Sequence, residues 1–157
     1  GFSFGAQPLM GYNYGAGNKK RLKEVLKFSF IFQGILSIIM ALILMVMAGY
    51  ITAGFIGDKS IIESGALMLR IMLISTPLIS VILLATVMFQ SAGKAFPAMI
   101  LSIGRQGVIF VPTVLILRRL FGYSGVIWSQ TCADVVTFIL AMILFKITFK
   151  ELFTHDN

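Results

Sequence analysis

Charged residues cut this chain into long uncharged runs. Four of them approach or exceed the ~20 apolar residues that a helix rising ~1.5 Å per residue needs to cross a bilayer. They are residues 28–56, residues 71–93, residues 95–117 (interrupted only by Arg105) and residues 120–145 (interrupted only by Asp134). Residues 1–17 carry no charge but are too short to span alone, and read as the end of a preceding span. The connections are short. Asn18–Lys27 (NKKRLKEVLK) is a basic connector, and Gly57–Arg70 is mixed in charge. Lys94 alone marks the third connection, with Pro97 suited to the first turn of the next helix. Arg118–Gly125 (RRLFGYSG) is the fourth, and residues 146–157 read as a polar cytoplasmic tail. The pattern predicts an all-α membrane protein, a polytopic transmembrane helical bundle of four full helices and the end of a fifth.

Composition strengthens that reading. Of 157 residues, 58% are hydrophobic and only 12% charged, against about 25% charged in a soluble domain. A small aqueous domain keeps too much surface in contact with water to hide so much apolar side chain, whereas lipid removes the difficulty. The net charge of +7 would suit nucleic acid on a soluble basic face, but the basic residues sit at the edges of apolar runs, as membrane anchors do. No nucleic-acid partner is therefore expected; the partner is the lipid bilayer. The lone Cys132 has no internal disulfide partner and says little about redox compartment. The first residue is Gly and the first charge is Lys19, so we expect a C-terminal piece of a longer protein.

Lys and Arg set orientation. With the first connector inside, Lys19, Lys20, Arg21, Lys23, Lys27, Lys94, Lys146 and Lys150 lie inside, and Lys59, Arg70, Arg118 and Arg119 outside. Eight against four satisfies the rule, although Arg118 and Arg119 oppose it locally.

Each span carries a polar stripe: Ser29, Gln33 and Ser37; Thr76, Ser80 and Gln90; Ser102, Arg105, Gln106 and Thr113; Gln130, Asp134 and Thr137. Such residues either hydrogen-bond between helices, at about 1 kcal/mol or less each, or line a water-filled cavity. Gln90, Gln106 and Gln130 are the candidate cavity-lining residues. Arg105 and Asp134 differ from the rest, because a charge near the bilayer centre costs at least about 2.5–3.5 kcal/mol and calls for a partner. Arg105 lies 11 residues after Lys94 and Asp134 lies 12 before Lys146. Both are therefore about 16–18 Å from the same membrane face. They form a candidate intramembrane pair, read either as a charge relay or cation site or as a structural ion pair. Pro77 and Pro112, inside spans, each remove a backbone hydrogen bond and are candidate hinges.

Catalytic sets are missing. The single His155 rules out His-based metal motifs, and there is no phosphate-binding Gly-rich loop ending in Lys-Ser/Thr. Neither an enzyme nor a cofactor is expected.

Ordered motifs take the reading further. Gln7-Pro8-Leu9-Met10-Gly11-Tyr12-Asn13-Tyr14-Gly15-Ala16-Gly17 with Asn18-Lys19-Lys20-Arg21, then Phe89-Gln90-Ser91-Ala92-Gly93-Lys94-Ala95-Phe96-Pro97-Ala98, then Ser102 to Gly107 with Pro112, and Gly125-Val126 through Gln130 to Ala133-Asp134 follow one another along nearly the whole chain. Together they resemble the signatures of the multidrug and toxic compound extrusion (MATE) family of transporters, in its bacterial MepA-like branch. The resemblance implies a twelve-helix antiporter of two lobes in the bacterial plasma (inner) membrane. This chain would be the end of helix eight plus helices nine to twelve, a partial C-terminal lobe whose partner is the N-terminal lobe of the same protein. It implies export of cationic, amphipathic drug-like compounds in exchange for Na⁺ or H⁺ as coupling ion. Some members carry an acidic residue on helix ten; residues 71–93 have none, so that cation site does not carry over. A flippase of lipid-linked intermediates with related architecture, and a non-transporting membrane subunit, are the alternatives.

Overall fold

A chain in lipid must satisfy its backbone polar groups internally, which leaves helices or closed barrels. The computed structural model describes residues 1–55 and 57–150, and within them helices follow one another with only short breaks. They are α1 (Phe2–Gly15), α2 (Lys19–Phe55), α3 (Lys59–Ile74), α4 (Thr76–Ser91), α5 (Ala95–Ile103), a π-turn (Gly104–Val108) and α6 (Phe110–Thr148).

The helices run past the apolar runs. α2 begins at Lys19, not Phe28, so the basic connector is helical. Leu22 and Leu26, one turn apart, are buried there while the lysines around them reach out. α3 begins at Lys59, inside the expected mixed-charge connection. Asp58 starts it by accepting hydrogen bonds from the Ser60 N–H and hydroxyl, both at 2.9 Å. These bonds hold the Asp58 carboxyl below its ordinary pKa, the Ser60 hydroxyl first and its N–H second. The last helix continues through Lys146 to Thr148, so the first residues of the expected tail are helical. Charge marked where an apolar run stops, but good helix formers carry the helix on. Ile56 and residues 151–157, the ends of the expected first span and tail, lie outside the described residues.

The expected second span is bent. α3 and α4 meet at Ser75 with an angle of 45° between them. Pro77 lies two residues beyond this break and has no N–H to give the Leu73 carbonyl. The third span is interrupted in the same way. The Ile109 N–H reaches back five residues to the Gly104 carbonyl at 2.8 Å, the bond that defines the π-turn. Pro112 follows one turn later, where an α-helix would need an N–H for the Val108 carbonyl. Both prolines thus sit in the first turn after a break, not in the middle of a bent helix.

α6 contains a reversal. Arg105 and Asp134 are 29 positions apart, which would separate them by about 43 Å along a straight helix. Their side chains are in contact at 3.0 Å. The chain turns at Gly122, whose φ of 60° and ψ of −132° are open only to glycine. Gly125 then passes so close to the first arm that a Cβ would run into the Leu117 carbonyl.

The core is apolar and gathers at one end. Met10, Leu22, Leu26, Phe89, Leu101 and Phe145 are among its buried members. Aromatic contacts of Phe149 with Tyr14 (6.1 Å) and Phe89 (5.5 Å) bring the ends of α1, α4 and α6 together. The start of α2 and the Lys94 connection follow directly from those ends, so Lys19–Lys27, Lys94, Lys146 and Lys150 share one end of the bundle. The rest of α2 is strongly exposed, with Ile31, Ile35, Ile38, Leu42 and Val46 all open. A water-soluble surface does not carry so large an apolar face; this is a multi-pass membrane protein.

Candidate functional site

The breaks in α3/α4 and α5/α6 face the second arm of α6, residues 123–148. Asp134 on that arm is fully buried. The Arg105 Nε–H, from the π-turn, donates to its Oδ1 at 3.0 Å. The Gln130 amide, one turn earlier on the same arm, donates to Oδ1 at 3.3 Å. The Ser75 hydroxyl, at the α3/α4 break, donates to Oδ2 at 2.7 Å. Ser75 is itself fully buried, and the Met72 carbonyl lies 3.1 Å from the same hydroxyl. Thr131 completes the junction by donating to the Ile71 carbonyl at 3.2 Å. Ile71 is four residues before the break, so this hydroxyl serves a carbonyl where the helical ladder is interrupted. One carboxylate therefore ties three segments together: the break in the second helix, the π-turn in the third and the fourth helix.

Arg105 keeps a quarter of its side chain exposed (26%). It borders a small cavity of about 180 Å³ that Ser102, Gln106 and Thr86 also line. Gln106 is exposed and makes no hydrogen bond to Asp134. It follows Arg105 by one residue, so it points about a quarter-turn away. Gln90 lies apart from both charges, exposed at the far end of α4 next to Lys94.

A second polar seam lies on the other side of the α3/α4 break. Gln33 accepts from the Ser3 hydroxyl at 2.6 Å and donates to the Ser80 carbonyl at 3.1 Å. Ser37 and Ser80 share a hydrogen bond at 3.2 Å, and Ser80 reaches the Pro77 carbonyl at 2.7 Å. This seam joins α1, α2 and α4 through the polar stripe of α2. Sequence reasoning missed Ser75 and Thr131. The available signal for Ser75 was its place two residues before Pro77, where a loosened backbone needs polar partners.

The arrangement binds helices together at the edge of a cavity of mixed polar and apolar lining. Among the described residues no group of three His, Cys, Asp or Glu side chains is placed to hold a metal ion.

Known proteins share both the sequence and this fold. The family model described as MatE matches residues 1–116. Multidrug export protein MepA of Staphylococcus aureus (strain MRSA252) is 31% identical over 144 residues, which is 92% of this chain and 32% of that protein. The protein of the same name from Staphylococcus haemolyticus is 31% identical over the same share of this chain. Among solved structures, the MATE multidrug transporter DinF-BH, in a ligand complex, superposes with a TM-score of 0.85 at 37% identity, over 94% of this chain and 33% of that one. The Vibrio cholerae MATE transporter VcmN in its bent form gives 0.83 at 16% identity over 93% of this chain, a likeness of fold. The chain spans about a third of the length of these relatives. With the family model covering most of its residues, the chain belongs to the MATE family, a family of transporters and not of enzymes.

Proposed function

We propose that the full-length protein is a multidrug efflux antiporter. It expels cationic amphipathic compounds in exchange for Na⁺ or H⁺ across the bacterial plasma membrane, and this chain is part of its C-terminal lobe. The observation that carries the reading is the 31% identity to a multidrug export protein over 92% of the chain. The two proline-associated breaks add to it, since interrupted helices are where transporters bind and bend. In this reading the runs 28–56, 71–93, 95–117 and 120–145 cross the bilayer, with Pro77 and Pro112 as hinges. The lysine-rich end faces the cytoplasm. Gln106, beside the cavity at Arg105, faces the transport pathway, and Gln90 lies at its cytoplasmic end.

Arg105 and Asp134 act here as a structural tie. Both carboxylate oxygens are already engaged by protein donors, on three different helical segments, and a carboxylate so occupied is poorly placed to take up a cation.

The test is expression of the intact gene in a bacterium stripped of its main drug pumps. Ethidium should leave these cells faster than control cells. No export despite good membrane expression would contradict the reading, and flipping of a lipid-linked intermediate in its place would transfer it to the related flippases.

A further inference from the structure

A second cavity lies away from the Asp134 junction. It is a groove of about 830 Å³ between α2, α4 and the second arm of α6. Phe30 and Val81 form two of its walls. The third wall is the last part of α6, with Phe138, Met142 and Lys146, and Lys150 just beyond the helix end at Phe149. Phe138, Met142 and Lys146 recur every four residues and so line up along one face of the helix. The ridge is apolar for its first half and basic for its second. From Phe138 to Lys146 it covers about 12 Å, most of the ~15 Å of hydrocarbon in one leaflet. None of the described lining residues is acidic.

We propose that this groove holds an acyl chain of an anionic phospholipid, with the lipid phosphate between Lys146 and Lys150. Charge complementarity selects the occupant. Lys146 and Lys150 put two positive charges at one end of an otherwise apolar groove, and an anion placed there is attracted by both. Lys146 is exposed and makes no ion pair among the described residues. The two lysines lie at the end of the bundle that also carries Lys19–Lys27 and Lys94, the level at which head groups meet a membrane protein. Basic pockets between membrane helices on that side are known to take anionic head groups. A cationic amphiphile would meet the wrong charge here, which separates this groove from a pathway for cationic compounds. Free phosphate would leave the apolar half of the ridge unused.

The experiment uses the full-length protein in mild detergent, with native mass spectrometry after addition of phosphatidylglycerol or phosphatidylcholine. The wild-type protein should retain one phosphatidylglycerol in preference to phosphatidylcholine. Lys146→Gln with Lys150→Gln should weaken that retention about thirtyfold, at about fivefold per lysine near an anionic head group. Met142→Trp, which fills the apolar half, should weaken it as well, while Lys59→Gln at the opposite end should not. Inorganic phosphate in large excess should not displace the lipid. Undiminished retention in the double lysine variant would overturn the proposal. So would Met142→Trp retaining lipid that the lysine variant loses, since binding would then be to head group alone. The lysines are exposed, so their replacement leaves folding intact, and an unchanged size-exclusion profile verifies it. If a cysteine at position 142 in the full-length protein cross-links to another segment of its own chain, the groove is a helix-packing surface and the lipid assignment fails.

Discussion

Removing either member of the buried pair should not cost the same, and the structure says which loss is worse. Arg105→Ala leaves the Asp134 carboxylate fully buried with only two neutral donors, Ser75 and Gln130. Breaking a buried pair in this way costs about 3–5 kcal/mol. Asp134→Ala leaves gentler consequences. Arg105 already exposes part of its side chain, and Ser75 still has the Met72 carbonyl 3.1 Å away. Two of the three orphaned donors thus have somewhere to turn, and we expect about 2 kcal/mol, near the cost of one or two unsatisfied polar groups. Ser75→Ala should cost about 1 kcal/mol, one interhelical hydrogen bond. Arg105→Gln combined with Asp134→Asn should recover most of the loss, because no charge then remains to be compensated. The assay is thermal unfolding of the full-length protein in detergent, read beside its abundance in the membrane. The order of stability should be wild type, Ser75→Ala, Asp134→Ala, Arg105→Ala. If Asp134→Ala unfolds at or below the temperature of Arg105→Ala, or if neither differs from wild type, the pair is not the tie described. Wild-type stability in Asp134→Asn with transport abolished would instead assign Asp134 to ion coupling.

Gly125→Ala places a methyl group against the Leu117 carbonyl; overpacking against backbone costs about 1–3 kcal/mol, so folded protein in the membrane should fall, and unchanged yield would refute the tight turn. Asp58 has a depressed folded pKa, so its capping of α3 is present above the unfolded carboxylate value and is lost as pH falls through the lower folded value; hydrogen exchange at Ser60 should speed up over that window, and Asp58→Ala should remove the pH dependence. Cysteines placed at Lys20 and Lys150 in an otherwise cysteine-free full-length protein should react with an impermeant maleimide from the same side of the membrane, and labelling from opposite sides would overturn the topology.

The apolar runs located the helices but not their ends. A charge stops a hydropathy run, yet Lys and Glu are good helix formers, and in NKKRLKEVLK the buried Leu22 and Leu26 recruit the connector to the core. Counting residues from Lys94 and Lys146 gave Arg105 and Asp134 equal depth, because two antiparallel arms meeting at Gly122 rise by the same step per residue. The same count was blind to Ser75. Its position depends on a 45° bend, and a bend moves a side chain sideways without changing the sequence spacing. Gln130 and Gln106 looked alike beside their charges. Helical geometry separates them, since Gln130 is four residues from Asp134 and shares its face, whereas Gln106 adjoins Arg105 and does not. The groove along Phe138, Met142, Lys146 and Lys150 was readable as an i, i+4 series, but its opposite walls come from helices about 55 and 110 residues earlier in the chain, and no local pattern joins them.

We propose that the whole protein couples drug export to a cation gradient. Purified full-length protein in liposomes, loaded with ethidium and given a Na⁺ gradient, a pH gradient or neither, tests it most directly. Ethidium should move against its own gradient when one of the two cation gradients is imposed, and that movement should collapse when an ionophore dissipates the gradient. Ethidium movement indifferent to both gradients, or none with protein correctly folded in the bilayer, would contradict it.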